Sequence, residues 1–292
     1  MFAYIFNKTA MHIFYGKVAL IDYLKSIKNT HSTIGFVPTM GALHQGHLSL
    51  IQQSLEENEI TVVSIFVNPT QFNNPEDLAK YPRTLDEDIK KLTNLSPKII
   101  LFAPTVEDLY EGKPLSQSFD FDGLENQMEG EFRPGHFNGV GTIVKRFFEI
   151  VEPTKAYFGE KDFQQLQIVK KMVAKNNLNV SIIGCPIYRN PNNLALSSRN
   201  ELLSSQEKQE AAFIHKILTG AKEKFKTNSA TVVTKWVEKL FEKNPAFKLE
   251  YFKIADETTL LPCFRKNKDK KYRAFIAVFI NNVRLIDTIS LN

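Results

Sequence analysis

The stretch IGFVPTMGALHQGHLSLIQQSLEENEITVVSIFV, residues 34–67, decides the fold. Its ends, IGFV (34–37) and ITVVSIFV (60–67), are runs of Ile, Val and Phe without polar alternation, as strands covered on both faces require. Between them, LSLIQQSLEEN (48–58) sets apolar residues three and four apart, the spacing of an amphipathic helix. Strand, helix and strand in so short a span make a βαβ unit with parallel strands. The pattern continues outward. KIILFA (98–103), KAYF (155–158) and NVSIIG (179–184) read as further strands, and a first strand pattern begins around Met11. TLDEDIKKLTNL (84–95), FNGVGTIVKRFFEIV (137–151) and FQQLQIVKKMVAKNN (163–177) read as helices, the first opened by a Thr84–Glu87 capping box. The fold class is therefore α/β: a Rossmann-like, mostly parallel sheet whose ligands sit beyond the carboxyl ends of the strands.

The character changes after Ile187, so the domains are expected at 1–187 and 188–292. A capping box at Ser204 and Glu207 opens a helix expected to run to about Lys226, and a second spans Ala230 to about Lys243. EYFKIA (250–255), AFIAVFI (274–280) and VRLID (283–287) follow as strands. Helices and strands in separate blocks imply a smaller, lid-like α+β domain with antiparallel pairing at its end.

Composition excludes several classes. With 292 residues, 43% hydrophobic and 24% charged, the chain is an ordinary folded sequence, not a disordered or collagen-like one. The net charge of +5 does not establish nucleic-acid binding and suits anionic substrates equally well. Cys185 and Cys263 cannot make a disulfide framework or a closed zinc site. The first residues lack a basic leader with a long apolar run, and no stretch is long enough to span a bilayer. The expectation is a soluble cytoplasmic protein, with Met11 a candidate alternative start. The basic run RKNKDKKYR (265–273) contains Asp269 and one aromatic, so it reads as a solvated loop between strands.

The chemistry concentrates at 37–55. A strand ends at Pro38, a loop holds Gly41 and Gly46, and His44 and His47 flank the second glycine where a helix begins. Helix starts present unpaired N–H groups and a positive dipole end, which favour phosphate. Imidazoles there can donate to phosphate oxygens as charge shifts. Capping or filling a turn is the alternative use of both rings.

This stretch resembles the HxGH motif of the nucleotidyltransferase superfamily, which also embraces class I aminoacyl-tRNA synthetases. VNPTQF (67–72), YPRT (81–84), RPGHFNGV (133–140), YFGEKDFQQL (157–166) and LALSSRN (194–200) then occur in the order and spacing of the pantothenate synthetase family. The likeness runs from about Met11 to the RLID near the C-terminus. It implies ATP-dependent joining of pantoate to β-alanine through a pantoyl adenylate, releasing AMP and pyrophosphate, with Mg²⁺ as cofactor and a homodimeric assembly. Neither step needs a covalent nucleophile, in keeping with a sequence where no Ser-His-Asp or Cys-His arrangement stands out.

Residue by residue, the likeness assigns Met40, Gly41, Ala42, Leu43, His44, Gln45, Gly46 and His47 to the ATP triphosphate, with His47 at the family's proton-donor position. Gly159, Glu160, Lys161 and Asp162 would meet the nucleotide, Lys161 as a compact ammonium; without the likeness they read as an exposed charged turn. Tyr188 aligns with the adenine-contacting backbone. Leu196 would contact ATP, while Ser197, Ser198 and Arg199 would serve the departing pyrophosphate, or cap the helix that follows. His44, His47, Lys161 and Arg199 are the catalytic candidates. Gln71 and Gln165 would bind pantoate or β-alanine through neutral amides, and Tyr81 would close over the site or simply pack. Asp86 and Asp88 begin a helix, where Asp88 is the candidate Mg²⁺ ligand and helix-dipole placement the alternative. Arg133 and His136 suit an anion or a helix start.

Two departures stand out. Arg189-Asn190-Pro191-Asn192-Asn193 replaces a segment that usually carries an acidic residue and Asp-Gly, and Asn stands for glycine in FINNVRLID. Asn tolerates the left-handed conformation, so the first turn is expected to survive, and the second change is expected to affect a turn only. Two rival functions remain. One is another superfamily member acting on a different acid or phosphate, which would want extra Arg or Lys in place of Gln71 and Gln165. The other is an RNA-binding module, against which no aromatic-basic stripe is apparent.

Overall fold

The computed structural model describes residues 11–27 and 33–292, so the expectation about the opening ten residues lies outside the described residues. In chain order the first elements are β1 (His12–Phe14), α1 (Lys17–Ile27), β2 (Ile34–Thr39), α2 (Gln45–Glu57) and β3 (Ile60–Ile65). Next come α3 (Pro75–Lys80), α4 (Leu85–Leu95), β4 (Ile99–Phe102), α5 (Val106–Tyr110) and α6 (Met128–Phe132). Then follow α7 (His136–Val151), β5 (Lys155–Gly159), α8 (Phe163–Lys175) and β6 (Ser181–Cys185).

Among the described residues these strands form one six-stranded sheet in the order β1-β4-β3-β2-β5-β6. The β1–β4, β4–β3, β3–β2 and β2–β5 pairs are parallel, with Phe36 opposite Val62 on one side and Ala156 on the other. Central strands are apolar because both faces are covered: Phe36, Val37, Val62, Val63, Ile99, Leu101 and Phe102 are fully buried. From β2 the chain builds outward through β3 to β4, and later places β5 on the other side of β2. The order therefore reverses beside β2, and its carboxyl end is the topological switch point where α/β sheets bind ligands.

The remaining elements are α9 (Ser205–Glu210), α10 (Ala212–Thr227), α11 (Ala230–Glu242), β7 (Phe247–Asp256), β8 (Tyr272–Ile280) and β9 (Val283–Ser290). The last three pair antiparallel in the order β7-β8-β9. Ile217, Leu218 and Phe225 of α10 and Val233, Val237 and Phe241 of α11 pack on Ile254, Ile276 and Val278 of the sheet. Such side chains each gain about 1.5–3 kcal/mol on burial, which makes this helix-on-sheet layer a core in its own right.

Several details differ from the sequence reading. The Ser204–Glu207 capping box forms, but the helix it opens ends at Glu210, and a new one starts at Ala212. Thr84 makes no cap bond; its hydroxyl donates to Asp88 at 3.3 Å instead. The basic run is solvated only in part, since Tyr272 and Arg273 are buried in β8. The chain groups into two compact units. One runs up to Gln117 and adds Asn138–Phe158 and Val173–Ile183; the other combines Ser118–Phe137, Gly159–Met172 and Gly184–Asn292. Ion pairs inside the second unit explain the grouping. Arg284 of β9 donates to both Glu129 oxygens at 2.8 and 2.7 Å, and Arg273 of β8 donates to Glu160 at 3.2 Å.

Candidate active site

In the first unit, the loop after β2 turns through two consecutive left-handed residues, Gly41 (φ 79°) and Ala42 (φ 48°). Glycine adopts that conformation freely, whereas alanine there costs about 1–3 kcal/mol. Asp88 of α4 holds the turn: its carboxylate accepts the amides of Ala42 at 2.8 Å and Leu43 at 2.7 Å. Hydrogen bonds to a charged group contribute about 1.5–3 kcal/mol each, enough to offset the strained alanine. Lys91 completes the clamp by donating to the Leu43 carbonyl at 2.7 Å. Asp88 is fully buried, and burial pushes its carboxyl above the ordinary range while the two amides and Lys91 pull the other way.

This clamp bears on two expectations. The amides of Ala42 and Leu43 donate inward to Asp88, so the loop offers a ligand other groups than these. Asp88 itself is a backbone anchor with its oxygens occupied and the Lys91 ammonium 3.9 Å away; Asp86, two residues earlier, is exposed on the helix surface. Among the described residues no three His, Cys, Asp or Glu side chains gather in one place.

α2 begins immediately beyond the clamp, with His44 as its N-cap residue. Its first amides, on Gln45 and Gly46, have no intrahelical acceptors by the geometry of a helix start. The rings of His44 and His47 stack with centroids 4.0 Å apart and planes 23° from parallel. The His44 amide donates to Nδ1 of His47 at 3.4 Å. An Nδ1 that accepts leaves the proton of a neutral imidazole on Nε2, so His47 turns an N–H donor away from the backbone.

Gln71 lies in a 3-10 turn, Pro69–Gln71, that follows β3. Its Nε2 donates to Sδ of Met40 at 3.0 Å, which joins two of the expected residues. Asn68, which the sequence reading did not single out, donates from Nδ2 to Oε1 of Gln71 at 3.1 Å. Tyr81 is buried with its ring 5.6 Å from Phe72.

The second unit holds the remaining candidates. Glu160, Lys161 and Asp162 form a 3-10 turn in which none is fully buried. Glu160 is engaged by Arg273, which also donates to Glu257 at 3.0 Å and lies over the Phe163 ring at 4.0 Å. Lys161 reaches Asp162 at 3.3 Å. A Cβ on Gly159 would meet no protein atom within 4 Å, so space lies open beside that backbone. Gln165 is half-buried on α8. Its neighbour Gln164, also missed from sequence, donates to the carbonyls of Leu124 at 2.8 Å and Gln127 at 2.6 Å and accepts the Glu129 amide at 2.9 Å. That pins the start of α8.

Ser197 caps the 3-10 turn Ser198–Leu202, accepting the Arg199 amide at 3.3 Å, so the capping role is realised. The Tyr188 carbonyl accepts the Leu196 amide at 3.1 Å, which ties the two candidates together. Between them Asn193 takes φ 65°, as expected for an asparagine in glycine's place, and Asn190 Oδ1 accepts the amides of Asn192 and Leu194. Arg189 forms a bidentate pair with Asp287 at 2.7 and 2.8 Å. Arg133 and His136 meet each other at 3.3 Å where α7 starts, with Glu129 3.7 Å from Arg133.

Known proteins resemble this chain over nearly its whole length. A family model described as Pantoate-beta-alanine ligase matches residues 12–290. Pantothenate synthetase of Flavobacterium psychrophilum is 65% identical over 281 residues, covering 96% of this chain and all of that protein. Among solved structures, pantothenate synthetase from Thermus thermophilus superposes with a TM-score of 0.86 at 36% identity, covering 96% of this chain and 99% of the other. Pantoate-beta-alanine ligase from Francisella tularensis, complexed with beta-gamma ATP and beta-alanine, gives a TM-score of 0.75 at 36% identity over 97% and 98% of the two chains.

Proposed function

From the premise that this chain belongs to the pantoate–β-alanine ligase family, we propose roles for its own residues in the family's reaction. The enzyme condenses pantoate with β-alanine at the expense of ATP, through a pantoyl adenylate. A carboxylate oxygen of pantoate attacks the α-phosphorus of ATP, forming the acyl-phosphate bond and expelling pyrophosphate. The amine of β-alanine then attacks the acyl carbon, forming the amide, expelling AMP and releasing a proton.

The start of α2 carries the first step. Its amides at Gln45 and Gly46, with the Nε2–H of His47 and the ring of His44, supply donors to oxygens that gain charge as the bond to pyrophosphate breaks. The observation that carries this reading is the His44 amide on Nδ1 of His47, because it favours the tautomer a donor needs. Lys161 and Arg199 neutralise the leaving pyrophosphate, Lys161 as a point charge and Arg199 as a planar fork. Gly159 leaves room for the nucleotide, Tyr188 and Leu196 border the adenine, and Gln71 with Gln165 orient pantoate.

Asp88 does not fit Mg²⁺, since both oxygens accept amides and an ammonium stands close by. Magnesium arrives as part of the MgATP substrate, carried mainly by phosphate oxygens as this ion commonly is. A cytoplasmic homodimer is carried over from the family likeness, and light scattering in solution tests the dimer.

An AMP-release assay with MgATP, pantoate and β-alanine, omitting each in turn, tests the function. AMP release should require all three. Equal release without pantoate would overturn it.

A further inference from the structure

Behind Gln71 sits a polar side chain with every bonding position filled. Asn68 is 1% exposed. Its Nδ2 donates to Oε1 of Gln71 and to the Gly139 carbonyl, both at 3.1 Å. Its Oδ1 accepts the hydroxyl of Tyr110 at 2.6 Å and that of Thr70 at 3.1 Å. The Gly139 carbonyl, which can only accept, favours nitrogen at that end of the Asn68 amide, and the Tyr110 and Thr70 hydroxyls hold the oxygen at the other. Gly139 comes this close because it is glycine: a Cβ there would stand 2.3 Å from the Thr70 carbonyl oxygen. Asn68 in turn dictates the Gln71 amide, whose oxygen faces Asn68 and whose nitrogen faces Met40.

We propose that Tyr110 is a positioning residue for pantoate, its hydroxyl clamping Asn68 so that Gln71 presents an N–H donor, never its carbonyl oxygen, to the acid. The relay rests on the reading of Gln71 as a pantoate ligand. Terminal amide torsions are broad and roughly two-fold, so an unclamped glutamine can turn either end outward. Turning the oxygen outward would set an acceptor against a carboxylate or a hydroxyl lone pair. Tyr110 is suited to the clamp. It is 7% exposed at the end of α5, Arg146 stacks over its ring at 4.7 Å, and burial pushes the phenol up, so it stays a proton donor at neutral pH.

Tyr110→Phe keeps the ring and removes only the hydroxyl. It should raise the KM for pantoate about 5- to 10-fold, the worth of one lost hydrogen bond, with the KM for ATP within about two-fold. In a Gln71→Ala background the same change should add nothing, the signature of two residues acting as one unit. Thr70→Val, which removes the other hydroxyl on Asn68, should show the same selectivity and serves if Tyr110→Phe folds poorly. A pantoate KM unchanged by Tyr110→Phe but raised by Gln71→Ala overturns the relay alone. Effects that add in the double variant, or that raise the ATP KM equally, also overturn it by making Tyr110 merely structural. A pantoate KM unchanged in Gln71→Ala removes the ligand reading of Gln71 and the relay with it.

Discussion

The carboxylate of Asp88 accepts the amide hydrogen of Leu43 at 2.7 Å. Through that bond and its twin to Ala42, α4 holds the strained entrance to α2, so the helix whose first turn carries His44 and His47 is set in place by a residue far along the chain. Electrostatic preorganisation requires that donors not move as charge develops, and a buried carboxylate on two amides is a rigid way to secure it.

Asp88→Ala leaves both amides buried and unpaired. It should lower stability by about 2–6 kcal/mol, summing about 1–3 kcal/mol for each orphaned donor, as read from urea unfolding. Asp88→Asn keeps one acceptor and should lose less stability, yet slow adenylate formation. If Asp88 anchors the loop and does not hold a metal, raising Mg²⁺ should not restore the Asn variant; restoration by Mg²⁺ would return Asp88 to the ion.

Glu129 gives the fold a specific acid sensitivity. Burial alone would raise its pKa, but hydrogen bonds and charge from Arg284, with help from Arg133 and Tyr251, hold the carboxyl at about 2. The folded value lies below the ordinary glutamate value of about 4.3. Its stabilisation is therefore complete above about pH 4.3 and lost as pH falls toward 2. The stability gap between the native chain and Glu129→Gln, followed by urea midpoints, should be largest near neutrality and close over that acid range. A gap constant with pH would contradict the ion pair's role.

Asn193 tests how a turn survives the loss of glycine. At φ 65° a β-branched residue is strained by about 1–2 kcal/mol, whereas glycine is not. Thermal melts should show Asn193→Val destabilised and Asn193→Gly unchanged or slightly raised. An unperturbed Val variant would mean that the turn is not held left-handed in solution.

Much of this architecture is legible in the sequence because its causes are local. Buried strands such as β2, β3 and β4 declare themselves by unbroken apolar runs, the start of α2 by glycines and histidines at one turn's spacing, and the left-handed turns by Asn193 and Asn281. What escapes is non-local. The Asp88 clamp joins residues 46 and 45 positions apart, Tyr110 meets Asn68 across 42, and Glu129 meets Arg284 across 155. Thr84 illustrates the competition directly. Its local pattern promised a capping box, but its hydroxyl is turned to donate to Asp88 one turn later and accepts no cap bond. The interleaving of 118–137 and 159–172 with the C-terminal part has the same origin, since partners such as Arg273 and Arg284 announce nothing in the segments they hold.

The central claim is that the stacked imidazoles at the start of α2 act on the phosphate chemistry. Exchange of labelled pyrophosphate into ATP, with pantoate present and β-alanine absent, isolates the adenylation half-reaction. His44→Ala and His47→Ala should each slow it about 10²- to 10³-fold while pantoate affinity, measured by calorimetry, shifts less than about three-fold. Exchange at the native rate in both variants would contradict the account.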